Sequence, residues 1–178
     1  MQELLPPANY DYSTTPRNGA PIVAIFDHIA DCTGNLYGGF LSSGLSSHYQ
    51  VRRDGTIIQF VLDEHAAYTQ GIITMGSDFP GWFVPGSTSD GYMYNLRGLG
   101  IEHEGKPFDE VGEGFGCLTK VQFESTVALQ KYLIWLHNIK VDRDHILGHY
   151  RLDHVNRANC PGSNYPWDAL FARLQPTA

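Results

Sequence analysis

Residues 146–170 read ILGHYRLDHVNRANCPGSNYPWDAL, and this stretch guides the interpretation of the whole chain. It begins with a short apolar run that is typical of a buried strand and continues as a polar loop. A proline then favours the start of a helix over residues 167–174. His149 directly follows the strand, and Cys160 lies in the loop. The stretch therefore predicts a strand and a helix joined by a loop with two side chains able to bind a metal ion.

Three further segments have the character of strands. PIVAIFDH (residues 21–28) is short, apolar and β-branched, so it predicts a buried central strand that ends at His28. SHYQVRRDGTIIQFV (residues 47–61) predicts two strands around a turn at Asp54 and Gly55. LGIEHEG (residues 99–105) predicts another strand. These strands supply most of a sheet.

Helical signals lie between the strands. YGGFLSSGL (residues 37–45) is compatible with a short helix weakened by glycine. Thr119 and Gln122 have the spacing of a capping box, and residues 121–139 carry apolar side chains on a broad face, which predicts the longest helix. The order of strands and helices predicts an α/β fold, a single mixed β-sheet flanked by helices.

The chain has 178 residues, the size of one domain. Its first 19 residues are rich in proline, glycine and polar side chains, so we predict an extended N-terminal arm (1–19) followed by one domain (20–178). Residues 71–96 predict a long loop, and so many aromatic side chains in a loop suggest contacts with substrate. The candidate substrate-binding residues are Phe79, Trp82 and Phe83 in this loop and Tyr68 before it.

Charge and composition argue against several kinds of partner. Twelve basic and 19 acidic residues give a net charge of −7, and no cluster of lysine and arginine could follow a phosphate backbone, so we expect no nucleic-acid partner. No apolar run approaches the roughly 18 to 20 residues of a membrane span, and we expect neither a membrane association nor a Sec-type leader. Three cysteines are too few for a disulfide scaffold.

His28, His149 and Cys160 form a plausible zinc site. Zinc prefers imidazole and thiolate ligands, and catalytic sites use three protein ligands with water in the fourth position. The residues alone leave an ordinary role open for each of them. A histidine at a strand end commonly makes structural hydrogen bonds, and a single cysteine is commonly a small core residue.

The chain resembles the type 2 N-acetylmuramoyl-L-alanine amidases, zinc peptidoglycan amidases that include phage lysins and share a fold with peptidoglycan recognition proteins. The resemblance covers about residues 20–174 in the right order. The matching pieces are VAIFDHIADCTG, SSHYQVRRDGTIIQFV, AAYTQG, GLGIEHEG, LTKVQF and the opening stretch, in which a Gly-His pair, a Cys-Pro-Gly and a Pro-Trp are close to a signature. The resemblance implies zinc as cofactor, with His28, His149 and Cys160 as its ligands.

The resemblance also assigns the acid-base role to Glu102, through the Gly-Ile-Glu match. Alternation along a strand predicts that Glu102 and Glu104 point to one face, with Leu99, Ile101 and His103 on the other. Because the two carboxylates would lie about 7 Å apart along the strand, only one should reach a metal-bound water. Without the resemblance, two solvated carboxylates on an exposed face would be the preferred interpretation.

Two positions depart from the family pattern. Where many members carry a lysine two residues before the third ligand, this chain has Ala158, and Arg157 or His154 could supply the positive charge that steadies an oxyanion. Where some members place a catalytic tyrosine, the chain has Ser47, which increases the reliance on Glu102. The neighbouring His48 is expected to be structural.

These features predict a zinc-dependent amidase that cleaves the bond between N-acetylmuramic acid and the L-alanine of the stem peptide. We expect bacterial peptidoglycan as the partner, a monomer, and a phage endolysin that stays in the host cytoplasm before it reaches the wall, or otherwise a secreted enzyme. Two alternatives remain open: a peptidoglycan-binding module without hydrolysis, and an amidase acting on soluble muropeptides in wall recycling. Because recognition proteins that only bind commonly lack the cysteine, Cys160 favours hydrolysis.

Overall fold

A computed structural model describes residues 2–4, 15–71, 73 and 92–175, with side chains from residue 15 onward except at 92 and 93. Within this part of the chain, one mixed sheet has the strand order β1-β4-β3-β5-β2-β6. The strands are β1 (Gln2–Leu4), β2 (Ala24–Ile29), β3 (Tyr49–Val51), β4 (Ile57–Gln59), β5 (Gly98–His103) and β6 (Ile146–Gly148). The helices are α1 (Tyr37–Ser43), α2 (Tyr92–Arg97), α3 (Lys120–His137) and α4 (Trp167–Leu174), with a 3-10 turn at His149–Arg151. The predicted α/β fold with a single mixed sheet is confirmed.

β2 lies between β5 and β6 and runs parallel to both. β3 is parallel to β5 and antiparallel to β4, which confirms the predicted hairpin around Asp54 and Gly55. Gly55 has a φ of 84°, a backbone conformation that glycine adopts without strain. Because β2, β3, β5 and β6 point the same way, their carboxyl ends meet at one edge of the sheet.

Apolar side chains cover both faces of the sheet. On one face, Ile25, Leu99 and Ile101 pack against Leu129 and Leu133 of α3. On the other face, a cluster joins strands β2 and β6 to α2 and the 3-10 region; its buried members are Ala24, Phe26, Ile73, Tyr94, Leu147 and Leu152. β2 is therefore buried on both sides, as expected for a central parallel strand.

The longest described helix begins at the predicted capping box. Thr119 Oγ1 accepts a hydrogen bond from the Gln122 main-chain N–H at 3.1 Å, and the Gln122 side-chain oxygen accepts from the Thr119 N–H at 3.3 Å. The Thr119 hydroxyl also donates to the carbonyl oxygen of Arg53 at 2.6 Å. The cap therefore ties the start of α3 to the β3–β4 turn.

We expect Thr119→Ala to lower the free energy of unfolding by about 1 to 2 kcal/mol, because it removes both hydrogen bonds of the Thr119 hydroxyl, the one accepted from the Gln122 N–H and the one donated to the carbonyl oxygen of Arg53. Urea unfolding of the variant and the wild type measures this difference. Lys131→Ala, at an exposed position of the same helix, is the matched control and should change stability by less than about 0.5 kcal/mol. Equal stability of Thr119→Ala and Lys131→Ala would show that the cap contributes nothing.

Several predicted boundaries differ from the structure. α2 occupies residues that we predicted as the end of a long loop, so the loop prediction is wrong from Tyr92 onward. Within the predicted arm, Gln2–Leu4 pairs with β4, and Arg17 is buried and donates to the carbonyl oxygens of Leu96 at 2.5 Å and Gly98 at 3.1 Å. The division into an arm and a domain at residue 20 remains a prediction.

The strand prediction for residues 99–105 is also too long, since β5 ends at His103. Phe79, Trp82 and Phe83 lie outside the described residues, and their role stays a prediction. No helix in the described ranges combines the length and apolar character needed to cross a membrane.

Candidate metal centre and active site

The candidate site lies at the carboxyl edge of the parallel strands. His28 is the next-to-last residue of β2 and pairs in register with Glu102 of β5. His149 comes directly after β6, which pairs with β2 on its other side. Three neighbouring strands therefore bring an imidazole, a carboxylate and a second imidazole to one edge.

The loop after His149 returns Cys160 to the same place. The Tyr150 N–H donates to the carbonyl oxygen of Cys160 at 2.9 Å, and the Cys160 N–H donates to the carbonyl oxygen of Arg157 at 3.0 Å. A Cβ on Gly148 would lie 2.6 Å from Pro161 Cδ, so the residue after Cys160 packs directly on the β6 backbone. The loop is thereby folded against the strand that carries His149.

The predicted ligands His28, His149 and Cys160 form a compact donor cluster. Their potential ligand atoms lie within 4.8 Å of one another, and Cys160 Sγ is 3.6 Å from His28 Nδ1. The centroids of the two imidazole rings are 4.5 Å apart. Among the described residues this is the cluster of histidine, cysteine and acidic groups that could hold a metal ion.

The protonation states fit a divalent cation. Burial lowers the pKa of His149 to about 4, and burial with the charges of His149, His103 and Arg157 lowers the pKa of His28 well below its ordinary value. Both imidazoles are therefore neutral at pH 7 and have a free lone pair. Burial raises the pKa of Cys160 to about 12, so the sulfur is a thiol until a cation displaces its proton. Two neutral imidazoles and one cysteine match the ligand preference of zinc.

Glu102 lies beside the cluster as a partly buried carboxylate that lines the groove. Burial raises its pKa to about 7. A carboxylate with this pKa can accept and return a proton near neutral pH, which general acid-base catalysis requires. The structure thus brings Glu102 together with the three candidate ligands.

Glu104 has a different environment from Glu102, and its burial rules out the alternative interpretation of two solvated carboxylates on an exposed face. It follows the end of β5 and is 7% exposed. Its Oε1 accepts from the Gly34 N–H at 2.6 Å and its Oε2 accepts from the Arg53 N–H at 3.0 Å. These bonds tie two loops together, which is a structural role.

Hydrogen bonds from α3 and β5 hold β2, the strand that carries His28. The buried Asp27 carboxylate accepts hydrogen bonds from Gln130 Nε2 of α3 at 2.8 Å and 3.0 Å. His103 Nδ1 donates to the carbonyl oxygen of His28 at 2.8 Å. Sequence reasoning missed the role of Asp27, because a polar residue near a strand end gives no signal of where its partner lies.

The residues predicted to stabilise an oxyanion or to contact substrate have the following positions. Arg157 is exposed and lines the groove, and a Cβ on Gly71 would lie 3.5 Å from its Nη2. Ala158 lines the groove as well, whereas His154 is exposed and does not line its described part. Tyr68 is half-buried, donates its N–H to Ser46 Oγ at 2.9 Å and likewise does not line the described part of the groove.

His48 and Ser47 make structural hydrogen bonds. His48 Nδ1 accepts from the Gly100 N–H at 3.0 Å, and its Nε2 lies 2.8 Å from Arg17 Nη2 and 3.0 Å from the carbonyl oxygen of His65. Ser47 Oγ donates to the carbonyl oxygen of Gly100 at 2.9 Å. The expected structural role of His48 is confirmed.

A groove of about 700 Å³ opens above the cluster. Its floor contains His28, Glu102 and His149. One wall is formed around α1, with Leu36, Phe40 and Leu45, and the other by residues 155–159 before Cys160.

Metal-assisted amide hydrolysis uses a cation that activates the carbonyl and a carboxylate that exchanges protons, and the edge of this sheet offers residues for both tasks. The sequence model of the family described as N-acetylmuramoyl-L-alanine amidase matches residues 13–163. The chain belongs to this family and is an amidase that acts on peptidoglycan.

Solved structures of amidases share the fold. The endolysin N-acetylmuramoyl-L-alanine amidase LysCS from Clostridium intestinale URNW is 22% identical, with 97% of this chain and 95% of that chain covered and a TM-score of 0.64. AmpD is 18% identical, with 98% and 94% covered and a TM-score of 0.71. The amidase AmiD from E. coli is 21% identical, with 90% and 58% covered and a TM-score of 0.63. A comparison with curated protein sequences found no match.

Proposed function

We propose that this amidase is zinc-dependent and cleaves the bond between the lactyl carbonyl of N-acetylmuramic acid and the L-alanine of the stem peptide. The observation that carries the proposal is the convergence of His28, His149 and Cys160 within 4.8 Å, next to a carboxylate with a pKa of about 7. Zinc bound there would supply Lewis-acid polarisation of the carbonyl and activation of water.

The chain's own residues provide the remaining steps. Glu102 accepts the proton of the attacking water and passes it to the leaving nitrogen of L-alanine. Arg157 lines the groove, and its charge is close enough to lower the pKa of both candidate histidine ligands. It can therefore stabilise negative charge on the scissile carbonyl oxygen.

Digestion of purified sacculi tests the reaction. The expected products are stem peptides with a free L-alanine amino group and glycan strands with intact lactyl groups, identified by mass spectrometry. Sacculi that bind the protein without losing turbidity or releasing such peptides would instead indicate a binding module.

The biological setting is a second part of the proposal. We infer a phage endolysin that remains in the host cytoplasm until the membrane is permeabilised and then acts on the wall as a monomer, with neither nucleic acid nor a membrane as partner. LysCS is described as an endolysin, and the AmiD structure contains anhydro-N-acetylmuramic acid linked to a tripeptide, which keeps soluble muropeptides as the alternative substrate. Faster turnover of intact sacculi than of soluble fragments supports the endolysin, and the reverse supports recycling.

We expect Arg157→Ala to lower turnover about 10²-fold while zinc remains bound, because the loss of one preorganised donor to an oxyanion has an effect of this size. Turnover of a soluble muropeptide and metal analysis of the same sample measure both quantities. His154→Ala is the matched control, and its turnover should stay near the wild-type value. A normal rate for Arg157→Ala would assign the side chain to the structure of the loop.

A further inference from the structure

Gln70 contacts both candidate histidine ligands and is 1% exposed. His149 Nε2 lies 2.9 Å from the main-chain carbonyl oxygen of Gln70, so this nitrogen carries the proton and donates it. The Gln70 side-chain nitrogen lies 3.3 Å from His28 Nε2. One residue therefore faces the same ring atom, Nε2, of both histidines.

Gln70 is itself held in place. Its N–H donates to Asn95 Oδ1 at 3.1 Å, and the N–H of Thr69 donates to the same oxygen at 3.2 Å. Asn95 belongs to α2 and is buried. The main chain at Gln70 is thus fixed by a buried side chain of a neighbouring helix.

The Gln70 amide has one unsatisfied end. Its oxygen is buried and has no hydrogen-bond partner among the described residues, whereas its nitrogen lies 3.1 Å from Thr69 Oγ1, a hydroxyl that can accept from the amide NH2 or donate to the amide oxygen. The amide oxygen and nitrogen exchange places by a half-turn of the terminal torsion, at almost no change in shape. The side chain can therefore present either a donor or an acceptor to His28.

We propose that Gln70 is the positioning residue of the metal centre, with its main-chain oxygen orienting His149 and its side-chain oxygen orienting His28. This inference rests on the zinc dependence proposed above. A His28 ring that gives its Nδ1 lone pair to a cation beside Cys160 carries its proton on Nε2. If the Gln70 NH2 group faced this His28 Nε2–H, two hydrogen-bond donors would oppose each other. The Gln70 amide therefore presents its oxygen to His28.

The imidazole rings of His28 and His149 then both carry their proton on Nε2. Each Nε2–H donates to an oxygen of Gln70, and each Nδ1 is free as a ligand atom. Partners of this kind fix ring orientation and raise ligand basicity, and their loss typically weakens metal affinity about 10-fold to 100-fold. Gln70 acts through the histidines and has no direct contact with the reacting atoms in this arrangement.

The zinc affinities of two variant proteins test the proposal. They are measured by competition with a chelator of known affinity. Gln70→Leu keeps the approximate volume but removes the acceptor, and we expect zinc affinity about 10-fold to 100-fold weaker. Gln70→Glu keeps an acceptor at the same place, and its affinity should stay within about threefold of wild type or increase, because a carboxylate is the stronger acceptor. Gln59→Leu, which replaces a buried glutamine bonded to Tyr49, Val61 and Asp63, is the matched control and should leave zinc affinity unchanged.

Hydrogen exchange of the ring protons gives a readout that packing alone would not change. In the zinc-loaded wild type and Gln70→Glu, the Nε2–H signals of His28 and His149 should both exchange slowly in NMR spectra. In Gln70→Leu only the His28 signal should exchange faster, since His149 donates to the main chain, which the substitution leaves in place.

The possible failures are distinguishable. A wild-type protein that binds no zinc overturns the proposed zinc dependence together with this inference. Wild-type zinc binding with equal affinity in Gln70→Leu, or with Gln70→Glu as weak as Gln70→Leu, overturns the role of Gln70 alone.

Discussion

Cys160→Ser is expected to remove most of the zinc from the protein and, with it, most of the turnover. The thiolate is the softest of the three candidate ligands, and a serine hydroxyl in the same place ionises far less readily and binds zinc weakly. Since the loss of a hydrogen-bond partner of a metal-ligating histidine already weakens metal affinity about 10-fold to 100-fold, the loss of a direct ligand should weaken it at least about 10²-fold. Metal analysis after dialysis, combined with turnover of a soluble muropeptide, measures both losses.

The other two cysteines are the controls for this result. Cys32 is half-buried and Cys117 is buried in the apolar cluster around α3 and α4, and neither belongs to the donor cluster. Cys32→Ser and Cys117→Ser should keep about one zinc per chain. Removal of zinc by a chelator should abolish wild-type turnover, and added zinc should restore it. A fully active metal-free preparation would contradict the proposed cofactor.

Turns, helix starts and strands that depend on residues close together in the chain could be predicted from the sequence. The turn at Asp54 and Gly55 and the capping box at Thr119 and Gln122 depend on residues close together in the chain, and the structure has both. The strand before His149 likewise follows from a short apolar run.

The convergence of the candidate ligands could not be derived from spacing. His28 and Cys160 lie 132 positions apart, and only the resemblance to a family placed them in one site before the structure did. Parallel pairing of β2 with β5 and β6 is the physical cause, since it aligns the strand ends that carry His28, Glu102 and His149.

Other features of the site had no usable sequence signal. The partners of Glu104 are main-chain N–H groups 70 and 51 positions away, which alternation along a strand does not reveal. Gln70 contacts the histidines partly through its main-chain oxygen, an atom that every residue has. Contacts of this kind depend on how loops meet at the sheet edge.

Glu102→Gln is expected to keep the fold and the zinc but to lose most of the turnover. The amide is nearly isosteric with the carboxylate and cannot accept the proton of the attacking water. General acid-base assistance typically contributes about 10² to 10⁴ in rate. Turnover of a soluble muropeptide at equal zinc content measures the loss.

Glu104→Gln, a substitution two positions away, should affect stability and turnover differently from Glu102→Gln. Its carboxylate accepts from two main-chain N–H groups, so the amide loses one acceptor and places an NH2 group against a donor. That change should lower the free energy of unfolding by about 1 to 3 kcal/mol while turnover of the folded protein stays close to wild type. The two variants should then differ at least about tenfold in turnover, with the stability loss in Glu104→Gln and the rate loss in Glu102→Gln. An inactive Glu104→Gln variant together with an active Glu102→Gln variant would assign the acid-base role to Glu104. Full activity of both variants would require a general base other than these two residues.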